Sequence, residues 1–141
     1  MIKTIIYFFQ SILIYLFFLI GKILGLKLSR QFFSNLFCFL GPLFKSNKII
    51  HENLNIFSDV VENVEKDKIK NNMWKNYGMT FIEYIYLKNF RENNNHIILK
   101  DKSNLQQIEQ EKKPVIFISG HFANFELMSM EISKKKINLA T

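Results

Sequence analysis

The stretch VIFISGHFANFELMSMEI, residues 115–132, decides how this chain is read. Behind Pro114, VIFIS is a run of apolar and β-branched residues with the character of a strand buried on both faces, as inside a mainly parallel sheet. Gly120 ends the run. Asn124 is then placed to cap a helix through FELMSMEISKKK, with Glu126 in its first turn and Lys134, Lys135 and Lys136 in its last, charges that suit the helix dipole. A loop between a strand's carboxyl end and a helix is where open α/β folds bind ligands, and His121 sits in it.

The spacing of His121 and Glu126 permits chemistry. Residues five apart on one continuous helix diverge, but a histidine in the preceding loop can fold back toward a carboxylate in the first turn. One imidazole nitrogen then donates to Glu126, and the other stays basic and able to take a proton from a hydroxyl. No side-chain nucleophile is required. Spacing alone is equally compatible with a plain loop histidine beside an exposed helix-start carboxylate. Metal binding is not indicated, because there is no second histidine at helical spacing and no H-E-x-x-H pattern.

Upstream, residues 45–59 read as a polar helix ending near Ser58 and Asp59, with His51 on its surface. Residues 65–88 place Ile69, Met73, Tyr77, Thr80, Phe81 and Tyr84 at steps of three and four, the spacing of an amphipathic helix. Gly78 interrupts it at a cost of about 1 kcal/mol unless close packing needs the missing side chain. Glu83 reads as part of the wet face. A turn over residues 92–95, a short strand over 96–99 beginning at His96, and a polar helix follow. Helix, strand, helix, strand is the order of an α/β layer, so the expected fold class is α/β.

The amino-terminal end differs in kind. Eleven of the 21 aromatic residues lie in the first 50 positions, and the first acidic residue is Glu52. Lys3, Lys22, Lys27, Arg30, Lys45 and Lys48 therefore supply six of the seven net positive charges. Such charge brackets an apolar segment and points to anionic lipid headgroups, not to nucleic acid. Residues 4–21 carry no charge and would span roughly 27 Å as a helix, near the ~30 Å of a bilayer core. The run is longer than a signal peptide's apolar region, and no small-residue cleavage site follows. The excess of positive charge after it places the remainder on the cytoplasmic side. QFFSNLFCFLGPLF, residues 31–44, is broken by Gly41 and Pro42 and suits a short interfacial helix. The soluble alternative makes both segments core helices. Cys38 has no partner in the chain and reads as a small hydrophobe.

Taken together these residues resemble the lipid A biosynthesis acyltransferases, bacterial lauroyl and myristoyl transferases. Their motif, a histidine, four residues and an acid in a GHxGNWE context, is similar to residues 121–126, with Ala123 where glycine is frequent and Phe125 where tryptophan is usual. An amino-terminal apolar anchor, an Asn-Leu pair like Asn53 and Leu54, and a W-x-N-x-G-x-x-x-x-E segment like that from Trp74 to Glu83 follow the family's order. The resemblance implies that His121 is a general base toward an acceptor hydroxyl, with Glu126 orienting it, and that Asn124 and Phe125 contact substrate. It implies an acyl thioester on acyl carrier protein as donor, a glycolipid acceptor, no cofactor, and a place at the cytoplasmic face of the inner membrane. It divides the chain into an anchor over residues 1–30 and, over 31–141, the amino-terminal part of a lysophospholipid-acyltransferase-like domain.

The family's domain continues beyond the part that this chain resembles, so the resemblance implies an incomplete site. The competing expectation is a truncated, non-catalytic membrane-anchored protein. A glycerophosphate-type acyltransferase shares the spacing of the motif but usually has aspartate at the acid position.

Overall fold

The structure is a computed structural model that describes residues 2–44, 47–56, 63–93, 96–100, 103–120, 123–135 and 137. It divides into two compact units, Met1–Ile85 and Tyr86–Thr141.

The first unit is helical. Helix α1 (Ile2–Phe44) is followed by α2 (Asn47–Asn55) and α3 (Asn63–Glu83). Helix α1 is two helical arms joined at Gly25, whose φ of 72° and ψ of 166° lie in a region that only glycine occupies readily. In one straight helix residues 17 and 33 would stand roughly 24 Å apart. Here their rings lie 5.5 Å apart. Phe17 and Phe18 before the bend, and Phe33 and Phe37 after it, all meet Phe81 of α3, at centroid distances of 6.3, 5.3, 5.8 and 5.3 Å. The bend thus lets both arms of one helix contribute rings to one core.

Glycines fix how closely α1 and α3 approach. A Cβ on Gly78 would sit 2.1 Å from the carbonyl oxygen of Phe33, and one on Gly41 would sit 2.2 Å from the Trp74 ring. The packing that the sequence left as a condition on Gly78 is therefore present. The buried stripe of α3 runs through Trp74, Gly78 and Ile82, while Ile69, Tyr77 and Tyr84 are exposed. The apolar periodicity is right but the face is turned by about one position, because the close approach at Gly78 brings the Trp74–Gly78–Ile82 line against α1. Gly41 and Pro42 do not break α1, which continues to Phe44. Proline this close to a helix end forfeits only one backbone hydrogen bond. Cys38 is half-buried and free.

Glu83 is not on a wet face. Its side chain is 9% exposed, and Arg30 Nε lies 3.1 Å from its Oε1. Arg30 also points Nη2 at Met79 Sδ, 3.9 Å away. A carboxylate removed from water is held by an opposite charge and a directed hydrogen bond, so the pair joins the second arm of α1 to α3. His51 is the surface residue expected, with Nε2 4.0 Å from Asp67. The predicted end of its helix at Ser58 and Asp59 lies outside the described residues.

In the second unit a single 3-10 turn (Tyr84–Tyr86), which straddles the division, leads into α4 (Leu87–Glu92), α5 (Ser103–Glu111) and α6 (Glu126–Lys134). The expected α/β fold is overturned here, since no strand occurs among the described residues. Residues 96–99 and 115–119, where the two strands were expected, run without helix or sheet pairing. Ile98, Ile116 and Ile118 are 89%, 91% and 92% exposed. A strand exists only through a neighbour that shares its ladder, and none is described beside either segment. An apolar, β-branched run supplies the propensity for a strand without supplying the partner.

Candidate functional site

The expected catalytic pair is described in one of its two members. His121 lies outside the described residues. Glu126 is the first residue of α6, exposed, and its carboxylate suits the positive end of the helix dipole. Lys134 occupies the last turn, the matching position for a cation, whereas Lys136 lies outside the described residues.

The approach to α6 is tighter than the sequence suggests. Phe125, the residue before the helix, already has helical dihedrals, and no side chain caps the helix start, so Asn124 does not serve as the expected cap. Its backbone does the work instead. The Leu127 N–H donates to the Asn124 carbonyl at 3.2 Å, and the Met128 N–H to that of Phe125 at 3.1 Å. Three-residue spacing in both bonds tightens the first turn. Ala123 has φ 51°, left-handed backbone that glycine adopts without penalty. It is also the position where the resembling motif frequently carries glycine, so the backbone conformation explains that preference.

Glu126 lines a cleft of about 350 Å³ together with Leu87, Lys88, Arg91 and Met130. Helices α4 and α6 are braced against each other at one end of it. Lys134 Nζ donates to the Phe90 carbonyl at 2.8 Å and pairs with Glu131 on its own helix. The Phe90 ring is buried and stacks on His96 with centroids 4.1 Å apart. His96 is therefore a packing residue and not the start of a strand. Elsewhere in the unit, hydrogen bonding from Gln107 and the nearby Lys113 hold the Glu111 carboxyl below the usual carboxylate range.

A second groove, of about 480 Å³, lies along α6 and is almost wholly apolar, lined among others by Leu99, Leu105, Phe117, Leu127 and Ile132. Sequence reasoning placed Glu126 in the first turn of this helix but passed over Lys88 and Arg91, the one at the end of the helix predicted over 65–88 and the other between that helix and the turn over 92–95. Their signal was present as a three-residue spacing on one helix face. No group of three or more potential metal ligands occurs among the described residues.

The arrangement offers a carboxylate at a helix start, two cations across a cleft from it and an apolar groove along the same helix. No curated protein and no solved structure matches the chain. A family model described as bacterial lipid A biosynthesis acyltransferase matches residues 2–141, nearly its whole length. The carboxylate, the cleft and the apolar helix at the amino terminus are thus features of a chain that belongs to the bacterial lipid A biosynthesis acyltransferase family.

Proposed function

We propose that this chain carries out acyl transfer at a membrane surface, moving a fatty acyl group from a thioester on acyl carrier protein to a hydroxyl of a lipid A precursor. The observation that carries this reading is the family match over residues 2–141. In the proposed step the His121 imidazole takes the proton of the acceptor hydroxyl, and the oxygen attacks the thioester carbonyl. Collapse of the tetrahedral adduct breaks the C–S bond, and the departing thiolate takes the proton back from the imidazolium. Glu126 orients the imidazole and balances its transient charge. Asn124 and Phe125, which shape the turn into α6, lie on the substrate side. The apolar groove along α6 suits a hydrocarbon chain.

Helix α1 supports the membrane location. It is the one described helix that is, by length and composition, apolar enough to cross a bilayer. Residues 4–16 of its first arm are uncharged, mostly apolar and exposed, as in a lipid-facing helix. We assign it to the cytoplasmic face of the inner membrane, on the positive charge that follows residue 21.

The test is His121→Ala in the full chain, assayed with acyl carrier protein thioester and a lipid A precursor in vesicles. Loss of a general base lowers the rate by roughly 10²–10⁴ while vesicle association stays unchanged. Undiminished transfer would remove His121 from the mechanism, and no transfer by the unsubstituted chain would favour a purely anchoring protein.

A further inference from the structure

Only two of the nineteen basic residues are arginines, and their surroundings are opposite. Arg30 is committed to the buried carboxylate of Glu83. Arg91 has no carboxylate partner and no hydrogen bond among the described residues, yet it lines the same cleft as Glu126. Its backbone is unusually well fixed for an exposed cation. The carbonyl of the residue before it, Phe90, accepts the Lys134 ammonium, and the Phe90 ring is held between Tyr86 and His96. Lys88, one turn earlier on α4, lines the cleft too, and its nearest acid, Glu92, stands 4.0 Å away on the exposed surface.

A guanidinium on an anchored backbone, with a second cation beside it and no carboxylate paired with it among the described residues, is arranged to receive an oxyanion even though Glu126 lines the same cleft. Arginine's planar fork matches the oxygens of a phosphate in a way that lysine's point charge does not. Fixing the backbone in advance reduces the ordering that binding must otherwise impose. We propose that Arg91, assisted by Lys88, binds a phosphate group of a substrate in the cleft that Glu126 enters. The assignment rests on the acyl-transfer reading of that cleft. Two sources share the chemistry: a phosphorylated sugar on the acceptor, and the phosphodiester in the thioester arm of the donor.

The test has a binding arm that needs no turnover and a kinetic arm that does. Phenylglyoxal modification of the full chain, followed by peptide mass spectrometry, reads both arginines at once. Inorganic phosphate slows modification of Arg91 several-fold and leaves Arg30 unchanged. In the kinetic arm Arg91→Ala raises one KM by roughly tenfold or more, with kcat changing much less, and Arg91→Lys recovers part of the loss. If the acceptor supplies the phosphate, the effect is on the acceptor KM and vanishes with a dephosphorylated acceptor. If the donor supplies it, the effect is on the donor KM and vanishes with an acyl pantetheine that lacks the phosphate. Failure of phosphate to protect Arg91, or KM values for both substrates unchanged in Arg91→Ala, overturns the proposal. Should the unsubstituted chain transfer no acyl group, the enzymatic reading fails, and protection of Arg91 by phosphate alone decides whether the anion site stands.

Discussion

In the unit Met1–Ile85, Phe33 and Ile82 are completely buried and four phenylalanines converge on Phe81. In the unit Tyr86–Thr141, Ile98, Ile116 and Ile118 of the two extended segments stand almost fully exposed. The difference follows from how each kind of structure closes. A helix satisfies its own backbone and needs neighbours only for its side chains, so α1 and α3 form a core within 85 residues. An extended segment needs a neighbour for backbone and side chains alike. The first unit is therefore sensitive to shape, and the extended part of the second is not.

The sharpest way to break this contrast is Gly78→Ala. The added methyl would meet the Phe33 carbonyl, a backbone atom that cannot swing aside, and the cost is about 1–3 kcal/mol or more. Urea unfolding of the detergent-solubilised chain should show a clearly lower midpoint, and an unchanged midpoint would mean that α1 and α3 do not touch as described. Arg30→Ala comes next. It leaves the Glu83 carboxylate buried without its arginine, at roughly 1–3 kcal/mol, and Glu83→Gln in the same background should recover part of that loss. At the small end is Ile116→Ser in the second unit. Because Ile116 is 91% exposed, the change should stay within about 0.5 kcal/mol. A loss comparable to that of Gly78→Ala would show that residues 113–119 are covered in solution.

How far the sequence spoke depends on the range of the interaction. Helix α3 was legible from spacing, and so was the condition that Gly78 imposed, because both depend on residues a few positions apart. The face of α3 was misjudged, since its burial at Gly78 is set by Phe33, 45 residues earlier. The two expected strands failed for the same reason, as VIFIS records a preference and pairing is a long-range event. Glu126 at a helix start was local and was found. Glu83 was taken for a solvated carboxylate because Arg30, its partner, is 53 positions earlier in the chain. Arg91 was hidden in NFRENNN, whose composition is that of a turn, while its significance lies in the Lys134 bond to the carbonyl beside it.

On the membrane-anchored reading proposed above, the bend at Gly25 bears on how much of α1 is free to enter lipid. Because Phe17 and Phe18 are already tied to Phe81, the part of the first arm that can enter the bilayer without drawing the core after it is residues 2–16. At 1.5 Å per residue that is roughly 22 Å, against a hydrocarbon thickness of ~30 Å. On that reading the length of helix free to enter lipid is set by where the bend at a single glycine returns the chain to Phe81.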